Sequence, residues 1–477
     1  MKPIQLSVFT EDEKQMVHRA SLRVLEAVGV RVYEDELRAR MRSRGAEVDD
    51  TTDVVKLPPE LVMECLSTAP KAFDLVNRSG ERMPVPTEEA YIASRLLLPR
   101  ILDYGAEKTR DPVTDDIIKA CQIANALDDI DLVVGIDVPV VDVSPPELSD
   151  LISIQTILTH TTQHIVCAPN NPEEMQKWVA LLEAATESGN LAKEPIMTVE
   201  VAITSPLVFD HGSSGVLRLA AEKGLPVLAM PMTAGGGTAP ITTAGQMVQH
   251  NAEVLFLIIV AQMINSGAPC FYGGIPCTFD LRTGIVSVAS PEFPLLVSSL
   301  LEMGHFYGLP VFSETKYTDS FALDEQCSAE KILSAFAAMA SGTDVVYGNG
   351  DLDIVTVLSL EQVVIDLDLV LAARRFVQGI VVDEDRLAVE AITRVGPGGH
   401  YLEDEHTIRF MRSGERFVPK TYNRLSHRSK AKLQLEKAHE IVEDITSKPA
   451  EPVITEAAMA RIQAAVEERK RAILSGI

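Results

Sequence analysis

The chain has 477 residues, 46% hydrophobic and 23% charged, enough to bury a large core. Its 68 acidic against 43 basic residues give a formal net charge of −25. That balance disfavours nucleic acid and anionic membrane surfaces as partners, and suits a cytoplasmic protein or a cationic ligand. The six cysteines, Cys65, Cys121, Cys167, Cys270, Cys277 and Cys327, form no CxxC pair. Their mostly apolar surroundings read as reduced, intracellular usage, with neither a disulfide framework nor a zinc or other metal site.

The N-terminal residues become charged too soon for a secretory signal. Glu11–Val28 and Asp35–Arg44 are amphipathic, and a third helix follows the double proline over Pro58–Ser67. Ala93–Tyr104 reads as strands of a small hairpin, which puts residues 1–113 in an N-terminal helical and hairpin extension. From residue 114 helices and strands alternate. The helices are Asp115–Leu127, Glu147–His160, Pro172–Glu187, Asp210–Lys223, Ala244–Asn265, Pro291–Tyr307, Ser328–Ala340 and Ser359–Val377. Between them lie strands Leu132–Val138, His164–Ala168, Ile196–Ile203, Pro226–Met230, Pro269–Gly273, Pro310–Glu314 and Asp344–Tyr347. Seven such units call for parallel pairing and favour a (β/α)8 TIM barrel over residues 114–424. The eighth strand is expected between Phe376 and His400, and residues 425–477 read as helices on the outside of the barrel. The most apolar stretch, about Ala252–Ile264, reads as a buried helix and not a membrane span.

Barrel enzymes carry their chemistry at the C-terminal ends of the strands. Those ends supply Asp137, Glu200, Ala234–Thr238 with Gly235, Gly236 and Gly237, Tyr272–Pro276, Glu314–Asp319 and Tyr347–Gly350, with Gly396–Tyr401 later in the chain. Three consecutive glycines let backbone approach a ligand, although the same run suits a flexible connector. Tyr104, Tyr272, Tyr317, Phe321 and Tyr347 fall near strand ends; aromatic faces attract quaternary ammonium, and such rings also serve as ordinary packing. Glu200, Glu314 and Asp319 are candidate acidic complements, and His250, Lys316 and His400 candidate polar groups. Structural ion pairs and packed histidines are the competing readings. No GxSxG, HExxH, GxGxxG after the first strand or GxxxxGK[ST] occurs. Methyl transfer fits that silence, because attack on a methyl carbon needs positioning and desolvation more than a side-chain base.

The segments Ser205-Pro-Leu-Val-Phe-Asp210, Pro231–Thr242, Asn251-Ala-Glu253, Tyr272–Pro276, Asp280–Gly284, Ser290-Pro-Glu292, Tyr307–Pro310, Asp324-Glu-Gln326, Gly396–His400, His406-Thr407 and Phe417–Lys420 together resemble the trimethylamine:corrinoid methyltransferase family. The resemblance implies a (β/α)8 barrel, transfer of a methyl group to the Co(I) corrinoid (cobalamin) carried by a separate small protein, and by habit of the class a homo-oligomer. The founding trimethylamine enzymes carry pyrrolysine in the barrel mouth; here the matching stretch, roughly Asp319–Gln326, holds ordinary residues. That departure points to the pyrrolysine-free branch and a quaternary amine, glycine betaine first, carnitine or proline betaine next. Position then suggests Tyr104, Tyr272, Tyr317 and Phe321 as a cation box with Tyr347 nearby, and Glu314 or Asp319 against the cation. His250, Lys316 or His400 would face a substrate carboxylate. A barrel aldolase or lyase using Lys316 as a Schiff base, and a non-catalytic betaine-binding protein, are the alternatives.

Overall fold

The computed structural model describes residues 4–136, 138–424 and 431–475; Asp137 lies outside them. Its centre is a ring of eight parallel strands: β1 (Tyr91–Arg95), β2 (Leu132–Ile136), β3 (His164–Ala168), β4 (Met197–Val201), β5 (Val227–Ala229), β6 (Cys270–Tyr272), β7 (Phe312–Glu314) and β8 (Val345–Asn349). β8 pairs with β1, and a bridge from Tyr272 to Val311 joins β6 to β7, which closes the ring.

Two expectations are corrected. The eighth strand is not in 376–400; it is the first strand, Tyr91–Arg95, within and beside the stretch read as a hairpin. The barrel therefore begins before residue 114. Its parallel pairing with Leu132–Val134 and Val345–Asn349 needs partners far along the chain, which local turn signals do not reveal. The real hairpin, Phe73–Val76 with Arg82–Val85, plugs the N-terminal end of the barrel, where Leu75, Met83 and Val85 pack beneath Ala93, Val134, Phe271 and Phe312.

Around the ring run α1 (Thr114–Ala126), α2 (Ser149–His160), α3 (Pro172–Ala185), α4 (His211–Lys223), α5 (Thr243–Ile264), α6 (Glu292–Phe306), α7 (Glu325–Ala340) and α8 (Leu360–Val377). Asn171, Asp210, Asp324 and Ser359 cap the N-termini of α3, α4, α7 and α8, each accepting from the backbone N–H three residues on. α5 is apolar all round and is the one helix among the described residues long and apolar enough to cross a membrane; 83% of its most apolar window is buried between the barrel and the N-terminal helices. The C-terminal helices Gln434–Thr446 and Glu456–Ser475 pack on α8 and α1, and on α3, respectively.

Candidate active site

Side chains alternate along a strand, so parity decides which groups enter the lumen. In β1 the inward set is Ala93 and Arg95; in β4, Thr198 and Glu200; in β7, Phe312 and Glu314; in β8, Val345 and Tyr347, with a register shift before Asn349. The lower members form the apolar interior. The upper members make one ionisable layer at the C-terminal end of the barrel, all buried.

Arg95 anchors that layer. Its guanidinium meets Asp351 at two points, 3.1 and 3.0 Å, and lies 4.3 Å from the centroid of the Tyr347 ring. Burial works against the charge on Arg95, but Asp351 outweighs it and keeps the side chain protonated. The Tyr317 hydroxyl donates to one oxygen of Glu314, and the Tyr317 and Tyr347 rings meet edge to face at 6.3 Å. A left-handed backbone at Lys316, φ 59°, turns the chain so that Tyr317 folds back on Glu314.

The unmet groups define the layer's chemistry. Oε1 of Glu200, Oε1 of Glu314, the Tyr347 hydroxyl and both amide atoms of Asn349 have no hydrogen-bond partner among the described residues. Buried polar atoms are costly unless satisfied, so a concentration of them at a barrel mouth marks a place for a ligand. Burial raises the Glu314 carboxyl well above the usual range and the charge of Glu200 raises it further, against the pull of Tyr317 and Arg95. Burial likewise raises Glu200, opposed by Arg95. Both carboxyls therefore hold a proton more readily than an ordinary carboxylate does.

Several expected site residues lie elsewhere. The Tyr272 hydroxyl points into the helix layer, donating to Asn251 at 2.7 Å, because its parity is opposite to that of inward Phe271. His250, buried on α5, bridges Thr233 Oγ1 at 3.1 Å and the Gly273 carbonyl at 3.3 Å, and burial lowers its pKa to about 4. Lys316 is buried toward α7, with Ser334 Oγ accepting from its backbone N–H and the Lys331–Asp366 pair nearby; burial lowers its amine to about 7. Tyr104 stacks at 3.6 Å on His439 of the C-terminal helix. His400 is exposed on a segment beyond the end of α8.

Other candidates form the rim. Asp319 accepts from Ser287 Oγ and from the Val288 N–H at 3.0 Å, which ties the β7 loop to a hairpin, Cys277–Asp280 with Ile285–Ser287, built over the mouth. Gly235 pairs with Thr278 of that hairpin, and Gly237 lies against the Phe279 ring. The N–H groups of Gly237, Thr238 and Ala239 all donate to the Ala234 carbonyl, and that of Gly236 to Ala239, so the loop closes on itself and offers no anion cradle. Phe321 stands 77% exposed beside the mouth, with Met232, Ile241, Leu281 and Ile285 exposed on neighbouring loops. Arg95 and Asp351 were not singled out from sequence; strand parity, once β1 is placed, finds Arg95. Among the described residues no cluster of three or more His, Cys, Asp or Glu side chains is arranged to hold a metal ion.

Eight parallel strands with a sealed ionisable layer at their C-terminal ends define a (β/α)8-barrel enzyme. Comparison of the whole chain narrows this class. The protein belongs to the trimethylamine methyltransferase (MTTB) family, whose model matches residues 2–474, and it is a methyltransferase. Trimethylamine methyltransferase MttB1 of Methanosarcina mazei is 32% identical over 410 residues, covering 85% of this chain and 83% of that protein. The glycine betaine methyltransferase of Desulfitobacterium hafniense is 27% identical over 474 residues, 98% of each chain. Among solved structures, the monomethylamine methyltransferase of Methanosarcina barkeri shares the fold, with a TM-score of 0.52 at 13% identity over 96% of this chain and 92% of that one.

Proposed function

We propose that this methyltransferase takes a methyl group from a quaternary amine, glycine betaine first, with carnitine and proline betaine as alternatives, and passes it to the Co(I) corrinoid of a small partner protein. The observation that carries the reading is the pair Glu200 and Glu314, each buried with one oxygen free of protein donors, beside the Tyr317 and Tyr347 rings. An N-methylated cation satisfies all of them: it brings positive charge to the carboxylates and its methyl groups to the ring faces. The full-length likeness to a glycine betaine methyltransferase, and the ordinary residues over Asp319–Gln326, favour a quaternary over a tertiary amine.

The chain's own contribution is to bind, orient and dehydrate. A quaternary nitrogen leaves as a neutral amine when the N–CH3 bond breaks and its electron pair stays on nitrogen, so the site needs no acid. The positive charge disappears in the transition state, and a dry, acidic lumen that held the cation releases the neutral product. When bound, the corrinoid supplies the nucleophilic electron pair that takes the methyl carbon. Its fit to this chain is judged at the rim, where the exposed apolar side chains of Met232, Ile241 and Phe321 would hold it.

Purified protein with chemically reduced cobalamin and a panel of methylated amines, followed by cobalamin absorbance, tests the reading. Turnover with a quaternary amine and none with trimethylamine is expected. Turnover with trimethylamine alone, or with no N-methyl compound, overturns it.

A further inference from the structure

The layer at the C-terminal end of the barrel is sealed. Arg95, Glu200, Glu314, Tyr317 and Tyr347 are each between 1% and 6% exposed. A ligand that binds there can neither arrive nor leave unless part of the mouth moves. The segment free to move is the hairpin after β6, Cys277–Asp280 with Ile285–Ser287.

Three observations select it. It lies across the ends of three strands: Cys277 and Thr278 pair with Ala234 and Gly235 after β5, and Asp319 after β7 accepts from Ser287 Oγ and the Val288 N–H. It has no core, since residues 278–287 contain no buried residue, whereas the segments after β5, β7 and β8 each contain several. It is also stiff within itself. Thr278, Phe279 and Asp280 pair with Ser287, Val286 and Ile285, and Asp280 closes the turn by accepting from the Arg282 and Gly284 N–H groups, each at 2.8 Å. A stiff piece with little buried apolar surface opens as a unit at low cost.

The moorings divide between base and blade. At the base, the Thr233 carbonyl accepts from the Cys277 N–H at 2.9 Å, and Gln246 Nε2 donates to the Cys277 carbonyl at 2.6 Å. Beyond it, the Phe279 ring rests on Gly237, where an added Cβ would lie 3.3 Å from the ring, and Asp319 holds the outgoing strand. The three-glycine loop thus has a use that needs no anion. Without side chains it is a flat seat for the hairpin.

We infer that this hairpin is a lid that closes over the lumen onto the glycine loop, with Asp319 as its latch. Asp319 is a positioning residue: it acts through Ser287 and Val288. The lid follows from the sealed layer; only its traffic, an amine, rests on the function proposed above.

A cysteine placed in the lumen of the full chain, at Tyr347 or at Glu200, tests the lid with no amine present. Labelling by a methanethiosulfonate should run roughly a hundredfold slower than at an exposed cysteine. Adding Asp319→Asn should speed it about tenfold, the loss of one bond to a charged group. The six native cysteines, all buried, should stay unlabelled. Ser287→Ala, which removes the partner and spares the carboxylate, should act in the same direction. Labelling as fast as at an exposed cysteine, or indifferent to Asp319→Asn, overturns the lid.

Stopped-flow binding of glycine betaine separates a gate from a binding group. In Asp319→Asn association and dissociation should quicken together, with Kd within about threefold of wild type, because the latch is closed in both free and bound protein. Weaker binding at an unchanged association rate overturns the lid. If glycine betaine binds neither protein, the function proposed above fails, and the labelling alone decides the lid.

Discussion

Asp351 holds Arg95 at two points, Nε to Oδ1 at 3.1 Å and Nη2 to Oδ2 at 3.0 Å, with both side chains sealed from solvent. The arginine is thus committed to Asp351, and Glu200 and Glu314 each keep an oxygen free for another cation. Asp351→Asn should cost about 3–5 kcal/mol of stability, because it strands a buried guanidinium. It should also weaken amine binding, since the freed charge turns toward the two glutamates. Urea unfolding with calorimetric titration of the amine measures both; an unchanged midpoint contradicts the pairing.

Burial raises both glutamates above the ordinary carboxylate range, and the charge of Glu200 raises Glu314 further. Affinity for a quaternary amine should therefore rise with pH through that raised range, with a proton released on binding. Glu200→Gln removes the charge that helps raise Glu314, so the affinity profile should move to lower pH while maximal affinity falls roughly tenfold or more. Titrations in buffers of different ionisation enthalpy read the proton release directly; none at any pH would refute it.

The same shift has a stability sign. A carboxyl raised on folding binds a proton that the unfolded chain gives up, so stability is lost as pH climbs from the unfolded value through the folded one. Glu200→Gln should flatten that loss and raise the melting temperature at pH 8 relative to wild type, by the equivalent of about 1–3 kcal/mol. Thermal melts at pH 5 and pH 8 check it.

Gly348 sits at φ 112°, where an added Cβ would lie 1.8 Å from the Thr315 carbonyl. Only glycine lets β8 approach the turn that presents Lys316 and Tyr317. Gly348→Ala should lower stability by several kcal/mol, of the order seen for the largest single substitutions. It should also raise the amine KM, whereas Phe321→Ala, on the exposed rim, should leave amine binding intact and weaken use of the corrinoid acceptor. Separate titrations of the two substrates distinguish these outcomes.

Seven of the eight barrel strands were legible because β-branched runs alternate with long helices. Tyr91–Arg95 was not, being taken into a hairpin because its parallel partners, Leu132–Val134 and Val345–Asn349, lie far along the chain. The opposite error placed a strand between Phe376 and His400, where the described residues form an exposed segment with short helices and no strand. Apolar composition alone does not distinguish a core strand from an outward face. At the site, Glu314, Tyr317 and Tyr347 were recognisable from their place at strand ends. Tyr272 and Tyr104 shared that place and not its geometry: one has the wrong parity and the other stacks on His439.

Closure of the ring between its first and last strands also governs how the molecule is made. Tyr91 finds Val345 only after some 250 intervening residues have been synthesised. A nascent chain consequently carries an open, sticky edge at β1 throughout most of translation. Non-local pairing of this kind is slow and exposed to aggregation, so production of the protein should depend on chaperone supply and on slow elongation near residue 350 more than on the stability of the finished enzyme.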